Sequence, residues 1–280
     1  MKNGGDVSAA IHPTAVVDPS AIVGEGVRIG PYAIVGAGVE LGEGTEVGAS
    51  AQVHGPTKIG CRNRIFPHAT VGFDPQDLTF KGEPTRLEVG DRNIFREFCT
   101  IHRGTAKGGS LTTIGDDNLF MVYTHVAHDC HVGNRTIFAN CATLAGHVDV
   151  EDDATISAFS AIHQFCRVGR HAYIGGYSVI TKDALPYVKT VGQKPLCYGV
   201  NTIGLARKGF SKEAIEVVNA AIKVVIGSKL NTSQALARLE AEYAGQPDAD
   251  HLIAFLNASQ RGVIKGRPGR GRGARGGGEG

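Results

Sequence analysis

The 280-residue chain contains no tryptophan, only two methionines and 6% aromatic residues. A core built from large rings is therefore excluded, and packing must rest on aliphatic side chains. No stretch approaches the ~20 apolar residues of a membrane-spanning helix. The opening MKNGGDVSAAIHPTAVV also lacks the apolar run of a secretory signal. No stable membrane insertion and a cytoplasmic location are expected. The six cysteines, at positions 61, 99, 130, 141, 166 and 197, form no C-x-x-C pair, which argues against a disulfide framework or a zinc ribbon. Charge of one sign is also scarce. The formal net charge is +2, and residues 261–280 alone contribute +5, leaving a mildly acidic body of −3. Overall charge gives no reason to expect a nucleic-acid binder.

Glycine, by contrast, is abundant, with 39 residues. An aliphatic or phenylalanine side chain recurs every sixth residue from Ile11 to Val71, again at Val89, Phe95 and Ile101, and from Ile114 to Ile180. The phase is lost over residues 73–86 and over GTAKGGSLTT. A small or compact residue often stands two positions earlier, as at Ala15, Ala33, Ala51, Thr124, Ala142 and Ala172. Cys99, Cys130 and Cys166 share that position, where a thiol serves as a compact hydrophobe. A helix would repeat at three and four, and an ordinary strand at two. Period six marks a parallel β-helix, in which three hexads return the chain to the same face one rung up, ~4.8 Å away.

After Asp183 the pattern becomes a connector and then three helical stretches, with Ser211, Asn231 or Thr232, and Asp248 as candidate caps and Gly227 and Gly245 as stops. The expected organisation is an extension over residues 1–10, the β-helix over 11–183, and a connector with a helical domain over 184–262. A low-complexity RG-rich tail follows over 263–280. Such tails sometimes bind RNA, but a solvated tail is the plainer expectation.

THVAHDCHVGN places His125, His128 and His131 within seven residues. On a hexad backbone His125 and His131 fall on successive faces, so they form no local metal cluster. Partners must come from about one coil away, which predicts that His125, His128, His147 and His163 converge on one face. Two chemistries fit: a general base, since imidazole titrates near neutrality, or zinc held by three histidines as in a carbonic-anhydrase-like β-helix.

QDL with GEPTR, TIHRGT, HVAHDC, NCATLAGHV, HQFC and GVNTIGLARKGFS occur in that order. Together they resemble the UDP-N-acetylglucosamine O-acyltransferases of lipid A synthesis, over about residues 10–262. The resemblance implies a mainly β fold, a left-handed parallel β-helix with a C-terminal α-helical domain, assembled as a homotrimer with sites between subunits. It implies transfer of a 3-hydroxyacyl chain from acyl carrier protein to the sugar 3-position, without metal or cofactor. The related N-acyltransferase acting on a 3-amino UDP-sugar is the nearest rival, but its N-terminal domain has no counterpart before Ile11.

By the same resemblance His128 is the general base, Asp129 orients it and Gly146 supplies an oxyanion N–H. His125, His147, His163 and Gln164 contact sugar and phosphopantetheine. Gln76 and Asp77 contact the acceptor across the interface, Asn201 and Arg207 the nucleotide, and Gly176 leaves room for a long acyl chain. One departure is Thr79, where the family carries lysine. The missing cation would have to come from elsewhere, with Lys81 the candidate in the same segment.

Overall fold

The computed structural model describes residues 9–228 and 230–266. The RG-rich segment from residue 267 onward, and the first eight residues, lie outside the described residues.

Strands of mostly two residues are joined by tight corners, and each pairs in parallel with the strand one coil away. Arg28 lies opposite Glu46 and Ile29 opposite Val47, an 18-residue step that repeats along the stack. Three faces result among the described residues, of eleven, nine and eight strands, parallel throughout except at the last pair of the first. The second residue of each short strand points inward. From Ile29 to Ile180 every hexad position is buried, whereas Ile11, Val17 and Val23 in the first coils are not. Those three belong to the first coil, before which the described residues contain no other.

Within the core, Phe95, Phe120 and Phe138 stack on successive rungs with ring centroids 5.0 and 4.8 Å apart. The compact position two residues earlier also accommodates Asn63, Asn93 and Asn118, all buried. Their amides donate to the carbonyls of Gly90, Gly115 and Gly133 at 2.8–2.9 Å. Each asparagine thereby satisfies a corner carbonyl that would otherwise be buried without a partner. Cys99, Cys130 and Cys166 are fully buried at the same position, and burial raises their thiols, Cys130 to about 12 and Cys166 to about 11. They are packing residues.

Most corners place one residue in the left-handed region, and these residues stack into three columns. The first is ionic, with Arg92, Asp117, Arg135, Asp153 and His171. The second is aromatic, with His68, Phe98, Tyr123, Cys141, Phe159 and Tyr177. The third holds Asp129, His147 and Phe165. The lost phases are two excursions from the coil. One leaves after Thr70–Phe73 and returns at Arg86–Val89; the other, with a 3-10 turn at Ala106–Gly108, returns at Leu111–Ile114.

Beyond the last coil, Val188–Val191 continues the eleven-stranded face and pairs with Leu196–Val200 in antiparallel fashion. Four helices follow among the described residues: α1 Thr202–Arg207, α2 Lys212–Ile226, α3 Thr232–Tyr243 and α4 Pro247–Asn257. Ser211 caps α2, and Asn231 caps α3 through a capping box with Gln234. Asp248 does not cap α4. It lies inside the first turn after Pro247, and its carboxylate accepts the buried Tyr187 hydroxyl at 3.0 Å. The six-residue α1, inside the expected connector, is the fourth helix that periodicity did not anticipate. Val263 and Ile264, placed in the tail by composition, are buried, and Ile264 N–H donates to the Asp183 carbonyl at 2.9 Å. The packed chain thus runs on past residue 262. Among the described residues no helix is long and apolar enough to cross a membrane.

Candidate active site

Three consecutive coils superpose at the third corner, so that His125, Thr143 and Ala161 form one column on the nine-stranded face. The hexad repeat then stacks His128 with Gly146 and Gln164, and Asp129 with His147 and Phe165. Side chains from two adjacent columns meet there. His128 Nδ1 is 2.8 Å from Asp129 Oδ2, and the His128 and His147 rings meet edge to face with centroids 5.2 Å apart. His147 stacks on Phe165 at 4.6 Å. Alternation along a strand would turn adjacent residues apart, but Asp129 occupies a corner with φ 58°, which turns its carboxylate back toward His128.

Asp129 is 2% exposed and fully engaged. Its carboxylate accepts from Thr105 N–H at 2.7 Å and Thr105 Oγ1 at 2.6 Å, besides His128. Its backbone N–H donates to Thr112 Oγ1 at 2.8 Å. Burial opposes ionisation, but the hydrogen bonds from His128 and Thr105 outweigh it and hold the carboxyl below its usual range. An ionised acceptor fixes the proton of His128 on Nδ1 and leaves the lone pair on Nε2.

Gly146 shapes the space around that ring. A Cβ there would lie 2.5 Å from His128 Cε1 and 2.9 Å from Nε2. Gly108 plays the same part for the acid, since its Cβ would fall 2.0 Å from Asp129 Cγ. Among the described residues the Gly146 N–H makes no hydrogen bond. Thr105 and Gly108 were not foreseen. Both come from an excursion without phase, and no periodic signal assigns them to Asp129.

The four histidines gather only in part. His125 packs against His102 with centroids 5.3 Å apart, and its Nδ1 lies 2.7 Å from Thr100 Oγ1. His163 and Gln164 are exposed, and His163 Nδ1 faces the Gln164 carbonyl at 3.1 Å. Burial depresses His125 to about 4 and also lowers His102 and His147, so these rings are neutral near pH 7. Among the described residues the group whose ligand atoms lie within 4.8 Å of one another is His128, Asp129 and His147. Within the one chain that cluster holds two histidines and a carboxylate, and the Asp129 oxygens accept from His128 and Thr105.

The first excursion returns to this site within the same chain. Thr79 N–H donates to Asp77 Oδ1 at 2.7 Å, which chiefly lowers the Asp77 carboxyl; the charges of His128 and Lys107 lower it further. His102 Nδ1 at 2.6 Å from the Asp74 carbonyl, and Arg103 paired with the Asp74 carboxylate, anchor the base of that loop. Gln76 is exposed beside Asp77.

Three expected residues lie elsewhere. Gly176 is exposed at the aromatic corner, where a Cβ would meet only the Ala158 carbonyl at 3.3 Å. Asn201 caps α1 through Gly204 N–H at 3.3 Å, and the exposed Arg207 ends that helix. The next residue, Lys208, pairs with Asp153 at 2.7 Å, which fixes α1 to the ionic corner rather than to the histidine corner.

The bacterial transferase hexapeptide profile (six repeats) matches residues 20–55 and 111–146. The profile of UDP N-acetylglucosamine O-acyltransferase domain 2 matches residues 183–264. An acyl-[acyl-carrier-protein]–UDP-N-acetylglucosamine O-acyltransferase of Alkalilimnicola ehrlichii is 51% identical over 255 residues, 91% of this chain and 99% of the relative. The chain belongs to the UDP-N-acetylglucosamine O-acyltransferase family.

Within this family, the Francisella novicida UDP-N-acetylglucosamine acyltransferase structure superposes with a TM-score of 0.90 at 35% identity, covering 92% of this chain and 94% of that one. The Moraxella catarrhalis UDP-N-acetylglucosamine O-acyltransferase gives 0.89 at 41% identity over 91% and 99%. The stack is accordingly a left-handed parallel β-helix with a C-terminal helical domain.

Proposed function

We propose that this chain transfers a 3-hydroxyacyl group from acyl carrier protein to the 3-hydroxyl of UDP-N-acetylglucosamine, the first step of lipid A assembly. His128 is the general base. The observation that carries the assignment of the base is the 2.8 Å contact between His128 Nδ1 and a buried carboxylate, beside a glycine that leaves the ring its space. The names of close relatives support the substrates.

In the proposed reaction His128 Nε2 takes the proton of the sugar hydroxyl, and the oxygen attacks the thioester carbonyl. The carbonyl electrons move onto oxygen, where the Gly146 N–H can donate. As the tetrahedral intermediate collapses, the carbon–sulfur bond breaks, and the thiolate of the carrier recovers the proton from Nε2. A base so placed contributes typically ~10²–10⁴ in rate, and one oxyanion donor ~3 kcal/mol. No metal or cofactor enters the scheme. Neutral His125 and His147 serve as hydrogen-bonding partners to sugar and phosphopantetheine rather than as further bases, with His163 and Gln164 at the rim.

The molecule acts as a cytoplasmic homotrimer in this reading. Support comes from the placing of Asn201, Arg207 and Gly176 on corners other than the histidine corner. Their proposed contacts with nucleotide and acyl chain then require a neighbouring subunit. Asp77, whose carboxyl is lowered in part by the charge of His128 in its own chain, contacts the acceptor together with Gln76. The open space at Gly176 favours a long acyl chain.

Incubation with UDP-N-acetylglucosamine and 3-hydroxyacyl carrier proteins of ten and fourteen carbons tests the proposal. The expected product is the 3-O-acyl sugar nucleotide, formed faster from the longer donor. Acylation only of a 3-amino analogue, or of neither sugar, would contradict it.

A further inference from the structure

The second excursion carries a cation that the scheme above does not use. Lys107 stands on the 3-10 turn Ala106–Gly108, one residue from the glycine that abuts Asp129. Its ammonium donates to Thr79 Oγ1 at 3.1 Å, and Thr79 N–H donates to Asp77. Lys107 thus joins the two excursions beside His128. Lys81, the replacement expected from sequence, is engaged otherwise. Its backbone N–H donates to Glu83 at 2.8 Å, and its charge acts on that carboxylate.

The electrostatics of the site call for such a group. Asp77 and Asp129 are carboxylates, and His102, His125 and His147 around them are neutral near pH 7, so they offer nothing to offset the repulsion of a sugar nucleotide with two ionised phosphates. An exposed lysine held by a neutral hydroxyl gives up little by exchanging it. A phosphate oxygen is the stronger, charge-assisted partner.

We propose that Lys107 is the acceptor-binding cation of this enzyme: its ammonium leaves Thr79 for a phosphate oxygen of the UDP-sugar and holds the Asp77 loop over it. The charge expected at position 79 has moved to the other excursion. This inference rests on the acyltransferase reading only for the identity of the ligand.

The test is calorimetric binding of UDP-N-acetylglucosamine to the full chain, with turnover as a separate arm. Lys107→Gln is expected to weaken binding about tenfold and leave the melting temperature unchanged. Thr79→Lys in the same chain should return affinity to within about threefold of the parent, because it restores the cation from the opposite side. Unchanged binding in Lys107→Gln would overturn the proposal. So would a rise in KM for the acyl carrier protein without a change for the nucleotide, or a parent chain that does not bind the sugar nucleotide. A parent that binds it but transfers no acyl group would contradict the acyltransferase reading, while the comparison of affinities would still decide the role of Lys107.

Discussion

An added Cβ at Gly146 would lie 2.5 Å from Cε1 of His128, so the missing side chain at one position gives the imidazole at the other its place. The backbone of Gly146 is not in the left-handed region, and proximity alone demands glycine there. Gly146→Ala should therefore fold normally and push the ring off its line to the acceptor. The expected loss in kcat is on the order of 10² or more, with little change in melting temperature. Steady-state kinetics beside a thermal scan would check it.

Asp129 sets the tautomer of His128, and Thr105 holds Asp129. Asp129→Asn keeps the shape and removes the acceptor that keeps the proton on Nδ1, so kcat should fall by ~10²–10⁴. Thr105→Val removes only the hydroxyl donor and should cost about tenfold. Equal effects of the two variants would mean that Asp129 acts in packing rather than through His128.

Stability should depend on pH through the buried and half-buried histidines. His125 titrates at about 4 in the folded chain against 6.5 for the free side chain, because burial disfavours its charged form. Between those values the unfolded chain binds more protons. Stability is then complete above pH 6.5, declines as pH falls through the window, and levels off below about 4. His102 and His147 shift in the same direction. The melting temperature should be lower at pH 5 than at pH 7, and His125→Gln should flatten that slope.

The core predicts a local cost. Phe120 is fully buried between Phe95 and Phe138. Phe120→Ala should destabilise the chain by about 3–5 kcal/mol, measured by denaturant unfolding. In a stack where each coil touches only its neighbours, that loss weakens the middle of the prism while its ends stay paired.

Much of this architecture was legible in the sequence, for a physical reason. A strand of two residues has one inward side chain, so Val126, Leu144 and Ile162 announce their depth by phase alone. His128 and His147 were placed together by the same arithmetic. Where the backbone leaves the repeat, phase carries no information. Asp129 came from the resemblance alone, since strand alternation would turn it away from His128, whereas it occupies a corner. Thr105, Lys107 and Gly108 lie on an excursion, and their contacts depend on how it folds back. Asn201 and Arg207 matched motifs, yet only the Lys208–Asp153 pair reveals which corner carries them.

The central claim is that His128 takes the acceptor proton without a metal. Single-turnover transfer from 3-hydroxyacyl carrier protein to UDP-N-acetylglucosamine, for the parent and for His128→Ala with EDTA present, tests it most directly. The account predicts that the parent is indifferent to EDTA and that the variant loses a factor of about 10² or more while binding the sugar nucleotide as before. Undiminished transfer by His128→Ala, or activity removed by EDTA and restored by zinc, would contradict it.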